Sequence, residues 1–317
     1  MQDNDARKAR PLRLGANYTP SRGWFHSWQD FDADEVRRDL ESIAKLGLDH
    51  IRVFPLWPEL QPSRSLIRRK TVEDVGTVVD VAAEFGLDAS VDVLQGHLSS
   101  FDFLPAWLHS WHRRNMFTDP DVVAAEAELL RALAAELSGR SNALGLTIGN
   151  ETNQFAAPWH PDPHRLSSEE AGSWLGTLLG AAKEAWPAGT HQHSFDDSAL
   201  FKEDMPFTPR HAATLGDLST VHSWVFGGAG AALRRTAPRA GPFRRLPGAV
   251  RHGLRRGSGP PRLGPGSRRT RPVGRRRGRR GLRHRHGAPP RRQSEPLGHH
   301  LVVLARCQPG PCRFPRA

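Results

Sequence analysis

What this 317-residue sequence has little of narrows its class before any motif is read. Its two cysteines, Cys307 and Cys312, stand together near one end, so the rest of the chain neither needs nor reports an oxidising compartment. No apolar run approaches the ~20 residues of a membrane span. The opening stretch, Met1 to Arg10, holds no apolar core of a secretion signal, so a cytoplasmic product without a membrane partner is the expectation. Lysine is missing altogether beyond residue 230, where 24 Arg face a single acid, Glu295. Residues 1–230 carry 21 Lys and Arg against 32 Asp and Glu, so the formal charge of +12 belongs to the last stretch alone. It is no nucleic-acid footprint of the whole protein.

From Leu14 to Val225, short apolar runs alternate with amphipathic stretches of helical period. Leu14–Tyr18 reads as a strand. Asp32 with Glu35 makes a capping box for a helix carrying Val36, Leu40, Ile43 and Ala44, which ends at Gly47. His50–Phe54 is the second strand, and Thr71 with Asp74 opens a helix running to Gly86. Both helices end on a Gly at the position where a left-handed residue is expected. Ala89–Val93, Leu144–Ile148, His191–Phe195 and Leu218–Val225 are the remaining strands, with helices opened by Asp119-Pro120 and by Ser167 with Glu170. Alternating units with near-continuous apolar strands imply a parallel sheet covered by helices. Gly15-Ala16-Asn17-Tyr18-Thr19-Pro20 after the first strand is no Gly-rich phosphate turn, which favours a barrel over a dinucleotide-binding open sheet. The expected fold class is α/β, a (β/α)₈ TIM barrel of which about six βα units are encoded. Residues 1–12 read as a disordered leader, 13–228 as the incomplete barrel and 229–317 as a low-complexity basic tail.

In such a barrel the reacting groups project from the C-terminal ends of strands. Those positions hold Asn17 and Tyr18, Arg52 with Trp57, Asp92 and His97, Asn150 and Glu151, His191, His193 and Asp196, and His222 with Trp224. Glu151, delivered by Leu144 to Gly149, stands where a partly desolvated carboxyl keeps its proton for a leaving oxygen, with Asn150 beside it to hold a substrate hydroxyl. The bland alternative is that Glu151 opens the next helix and favours its dipole. Arg52 either points into the mouth to orient a carboxylate or forms an outward salt bridge. His97 and His222 are substrate hydrogen-bonding groups or ordinary caps. Trp57 and Trp224 are the aromatic faces on which a sugar ring could stack. A rival reading places His191 and His193 on one strand face, with His222, Asp92, His160, Asp162 and His164 completing the metal site of a TIM-barrel hydrolase.

Arg52, His97, Asn150-Glu151 and His222-Ser223-Trp224 stand in the order in which glycoside hydrolases of the clan containing family 5, the cellulases and β-mannanases, carry an Arg, a His, an Asn-Glu pair and a His-x-Tyr. The chain resembles that family from Leu14 to about Phe226. The resemblance implies retaining hydrolysis of β-linked glycosidic bonds of β-glucan or β-mannan type. It makes Glu151 the acid/base, Arg52, His97, Asn150, His222, Trp224 and Trp57 cleft residues, an oligo- or polysaccharide the partner, and no metal or cofactor a requirement. Trp224 replaces the family's Tyr. The second catalytic glutamate, expected after a seventh strand about 5 to 5.5 Å from the first, is missing, so the two-carboxylate mechanism cannot be written and the chain as given is expected to be inactive. A non-catalytic carbohydrate-binding remnant is the alternative.

Residues 231–317 hold 13 Gly, 13 Pro and 24 Arg without periodicity. At face value this is a disordered basic segment able to bind nucleic acid through Arg275 to Arg280, but only Phe243 and Phe314 could stack on bases. Arginine without lysine is instead what a GC-rich gene yields when read out of frame. Codons permitted by Leu297 to Cys307, advanced one base, can spell Trp-Gly-Ile-Thr-Trp-Trp-Cys-Ser-His-Asp, which resembles an eighth strand ending in tryptophan. The same shift across Val273 to Gly281 permits a Glu-Val-Gly-Ala run where a nucleophile belongs. The expectation is a frameshift near residue 228.

Overall fold

The computed structural model describes residues 13–98, 101–222 and 303–305. Six strands lie parallel in chain order: β1 (Gly15–Tyr18), β2 (His50–Val53), β3 (Asp88–Asp92), β6 (Ala143–Asn150), β7 (Gln192–Asp196) and β8 (Ser219–His222). Between them run α1 (Ala33–Lys45), the short α2 (Trp57–Leu60), α3 (Arg69–Glu84), α4 (Pro120–Leu137), α5 (Ser168–Ala185), and the short α6 (Ser198–Phe201) and α7 (Pro209–Thr214). After β3 the two-residue strands β4 (His97–Leu98) and β5 (Phe101–Asp102) pair antiparallel as a ribbon. The result is the half-barrel expected from six βα units. A last strand, β9 (Val303–Ala305), pairs antiparallel with β8. The sequence reading assigned those three residues to the tail. The leader, the rest of the tail with the frameshift expected near its start, and Trp224 lie outside the described residues.

Capping chemistry places most helix starts. Asp119 accepts from the backbone N–H groups of Asp121 and Val122, with Pro120 in the first turn, and Ser167 and Glu170 close a reciprocal box. Asp32 caps α1 by accepting from Asp34 and Glu35, but Glu35 does not reach back and lies instead near Arg22 and Arg38. The start expected at Thr71 is displaced. α3 begins at Arg69 behind Arg68, Thr71 is buried in its first turn, and Asp74 is held by Lys70. Gly47 and Gly86 have φ of 76° and 70°, the left-handed ends that the sequence placed there.

The strands are not the near-continuous apolar runs expected. They alternate. Ile51, Val53, Ala89, Val91, Leu146, Ile148 and Phe195 are buried in the core that α1, α3, α4 and α5 cover. The intervening positions, in register across the sheet, are Asn17, Arg52, Ser90, Asp92, Thr147, Gln192, Ser194, Thr220 and His222. These inward side chains satisfy one another: Thr220 donates to Gln192 at 2.8 Å, Gln192 to Thr147 at 3.4 Å, and the Ser90 and Thr147 hydroxyls meet at 3.4 Å. Barrel interiors are commonly filled by branched apolar residues. A polar interior instead needs its groups paired, and here Arg52 Nε and Asp92 Oδ2 have no partner among the described residues.

Candidate active site

The guanidinium of Arg52, about 1% exposed, is the hub of the C-terminal mouth. It donates to groups from five other strands: Nη1 to Asn17 Oδ1 at 3.1 Å and to His222 Nε2 at 3.0 Å, and Nη2 to Asp92 Oδ1 at 2.8 Å, Ser194 Oγ at 3.1 Å and Asn150 Oδ1 at 3.4 Å. Arg is suited to this because its planar fork carries donors in fixed directions and stays charged when buried. Of the two readings of Arg52, the inward one holds, but its carboxylate is Asp92 of the neighbouring strand. Burial raises the Asp92 carboxyl above its ordinary range, against the pull of Arg52 and His222.

The ladder between β6 and β7 slips between Thr147 and Asn150, so Asn150 pairs with Ser194. An irregularity of this kind re-aims the residues that follow it. Glu151 then adopts φ 51° and ψ 30°, a left-handed conformation that costs a non-glycine residue about 1 kcal/mol or more. Its side chain does not cap the helical turn it precedes. The carboxylate turns inward instead and accepts from His222 Nδ1 at 2.6 Å, so the helix-dipole reading of Glu151 fails. Because Arg52 can only donate to His222 Nε2, that nitrogen is an acceptor and the ring proton sits on Nδ1, directed at Glu151.

The expectation that Glu151 keeps its proton is corrected. Burial pushes its proton affinity up, but the hydrogen bond from His222 and the electrostatic influence of His222, His97 and Arg52 outweigh it and lower the pKa below its ordinary value. His97 faces the other oxygen, with Nε2 4.0 Å from Glu151 Oε2. Its main-chain carbonyl accepts from the Asn150 side-chain amide at 3.0 Å. Asn150, expected to hold a substrate hydroxyl, is therefore engaged by Arg52 on one side and the His97 backbone on the other.

The structure thus brings Arg52, His97, Asn150, Glu151 and His222 into one cluster. Trp57 is not part of it. That ring is fully buried in α2, donates to Gln61 at 3.0 Å and meets Trp107 edge-on, so it is core and not a sugar platform. Tyr18 is likewise spent on helix packing, through Asp39 of α1. The metal reading fails on hydrogen bonding. His191 uses Nδ1 on the Leu146 N–H and Nε2 on the Trp186 carbonyl, while His193 bonds Thr152 at 2.7 Å deep behind the sheet. Among the described residues no group of three His, Cys, Asp or Glu is arranged to hold a metal ion. Sequence reasoning missed Ser194, which lies in a strand noted for its histidines, and Asp102, and it assigned His160 to a metal site and not to the mouth, which both reach from loops distant in sequence.

No family model matches the chain, and no curated protein matches it. Solved structures do. A GH5_18 structure from Streptomyces cattleya in complex with GlcNAc is 57% identical, covers 70% of this chain and 54% of its own, and superposes with a TM-score of 0.69. A glutamate-to-alanine GH5_18 variant from the same organism, in complex with Manβ1-4GlcNAc, is 54% identical over 72% of this chain and 55% of its own, with a TM-score of 0.68. An exo-β-1,4-mannosidase from Opitutaceae bacterium strain TAV5 is 26% identical over 64% of this chain and 35% of its own, at 0.57. The chain spans about half the length of the two GH5_18 structures. By fold and by residue identity, the described part of the chain is of the glycoside hydrolase family 5 type, the first six strands of its barrel.

Proposed function

We propose that the complete barrel hydrolyses a β-mannosidic bond, in a substrate of the Manβ1-4GlcNAc class, by a retaining mechanism with Glu151 as acid/base. The observation that carries this is the inward turn of Glu151, with one oxygen held by His222 and the other facing His97. The GH5_18 and mannosidase neighbours support the β-mannoside choice over β-glucan. Retaining chemistry needs a second carboxylate about 5 Å from the first. Among the described residues the other carboxylates around this mouth are committed: Asp92 to Arg52, Asp102 to His97 and His160, and Asp196 to the Ser198 N–H. The lack of such a carboxylate among the described residues also fits the lowered pKa of Glu151. A nucleophile carboxylate at that distance would repel a second negative charge and raise the Glu151 pKa, turning an ionised group into a proton donor.

We further propose that the partner is encoded but out of frame, downstream of about residue 228. Sequencing the gene across the codons for Val225 to Ala231 tests the frame. Activity then tests the reaction: the chain as given should release no mannose from Manβ1-4GlcNAc, and a chain restored to the alternative frame should release it. In the restored chain Glu151→Gln should lower kcat/KM by about 10²–10⁴-fold, the usual worth of a general acid–base. Turnover by the given chain, unaffected by Glu151→Gln, would overturn the assignment. Sugar binding without turnover in both frames would leave a carbohydrate-binding remnant, and binding to nucleic acid that fades steeply with salt would point to the basic tail.

A further inference from the structure

The ribbon formed by β4 and β5 presents two faces. On one, Phe101 and Phe103 pack against the loop after β1: Trp24 meets Phe101 at 5.4 Å between ring centroids, and Phe25 and His26 meet Phe103 at 6.1 and 6.0 Å. On the other, cross-strand partners His97 and Asp102 stand opposite each other, toward the cleft. Asp102 Oδ1 lies 3.3 Å from His97 Nδ1, and Oδ2 lies 3.0 Å from Nε2 of His160, which comes from the loop after β6. One carboxylate therefore ties two loops together over Glu151.

The hydrogen-bond pattern fixes both rings. His160 Nδ1 accepts the Asp162 N–H at 3.1 Å, so its proton sits on Nε2 and is donated to Asp102. His97 gives its Nδ1 proton to the remaining carboxylate oxygen. Its ring also stands edge-on to Phe155, and its carbonyl accepts from Gln95 at 2.6 Å and Asn150 at 3.0 Å, which leaves little room to turn. His97 Nε2 is then a bare lone pair 4.0 Å from Oε2 of Glu151. Because Glu151 Oε1 is occupied by the His222 proton, Oε2 is the oxygen free to carry a proton.

We propose that Asp102 is a positioning residue. It holds His97 in the Nδ1–H form so that an acceptor faces Glu151 Oε2, and the slot between them is filled by a hydroxyl group of the sugar, donating to His97 Nε2. This rests on the reading of the cleft as a β-mannoside site, and the test separates the two. The full chain, labelled with ¹⁵N-histidine, reports the His97 tautomer directly, with assignment by His97→Gln. Titration with Manβ1-4GlcNAc reports affinity.

In the unsubstituted chain His97 is protonated on Nδ1. In Asp102→Asn the single remaining acceptor oxygen goes to His160, whose tautomer is pinned by Asp162. The amide nitrogen then faces His97 Nδ1 and drives its proton to Nε2. Asp102→Ala, which leaves no acceptor, also yields the Nε2–H form that free imidazole prefers, and serves if the first variant fails to fold. Either variant is expected to bind the disaccharide at least tenfold more weakly, while His160→Ala leaves the His97 tautomer as it was. An unchanged His97 tautomer in both Asp102 variants overturns the proposal. A changed tautomer with unchanged disaccharide affinity overturns the hydroxyl slot. If the tautomer changes as stated but no form of the chain binds the disaccharide, the positioning role stands and the β-mannoside reading falls.

Discussion

Two buried glutamates in this molecule have opposite fates. Glu151, at the strand ends, is about 6% exposed, and Glu126, on α4 behind the sheet, is fully buried. Burial alone would push both pKa values up. Glu151 nevertheless falls below its ordinary value, because His222 donates to it and His97 and Arg52 stand near. Glu126 rises well above its own, because burial is opposed only by the Trp174 N–H at 2.8 Å, and its second oxygen has no partner among the described residues. Between these two glutamates the partners set the direction, whereas at Asp92 burial outweighs even Arg52 and His222. His193 belongs with Glu126. It stacks on Phe207 beside Trp174, and burial pulls its pKa down to about 3, so it is neutral.

The harshest way to break the comparison is to remove the cation at the mouth. Arg52→Met leaves Asp92 buried beside an apolar chain, and stability in urea is expected to fall by about 3–5 kcal/mol, the usual cost of stripping a buried charge of its partner. A loss under about 1 kcal/mol would show that charge pairing does not hold the mouth together.

Next is acid. His193 takes a proton near its ordinary 6.5 when unfolded and near 3 when folded, so the unfolded chain binds the extra proton between those values. Its contribution to stability is complete above pH 6.5 and is lost as pH falls toward 3, at up to about 1.4 kcal/mol per pH unit. His193→Phe should flatten that limb of the stability curve. An acid limb as steep as before would place the titrating group elsewhere.

The finest test sets the two glutamates against each other. Glu126→Gln keeps an acceptor for Trp174 and is expected to cost less than about 1 kcal/mol at pH 5. The original chain loses stability as pH rises from 4.5 through the raised folded value of Glu126, so the variant should gain on it with rising pH. Glu151→Gln should behave with the opposite sign. The depressed pKa of Glu151 contributes stability above 4.5 that is lost as pH falls, and its Gln variant loses that contribution at neutral pH. Equal pH dependence in the two variants would erase the distinction.

Much of the frame was legible because local chemistry determines it. Asp119-Pro120, Ser167 with Glu170, Gly47 and Gly86 act on their own backbone, and the structure finds each in its expected role. Arg52, His97, Glu151 and His222 were legible by position, as polar residues at strand ends. Trp57 was not, because nothing in its neighbourhood reveals that α2 turns the ring into the core. Nor was the ionisation of Glu151, which depends on residues 54 to 99 positions away in sequence. Asp102 escaped notice for the same reason, since its two partners meet only when the loops after β3 and β6 close over the mouth.

The strand order has a consequence for how the molecule comes into being. Each parallel strand from β1 to β8 docks beside the one made just before it, with a covering helix in between. A chain leaving the ribosome at about 5–20 residues per second can add such units one at a time, each finding a finished edge to pair with. Helices form fastest, and pairing parallel strands across their crossovers is the slower step. The last residues made are still inside the exit tunnel, so it is the early strands β1, β2, β3 and β6 that can be paired when the ribosome reaches codon 228, whichever frame is read beyond it.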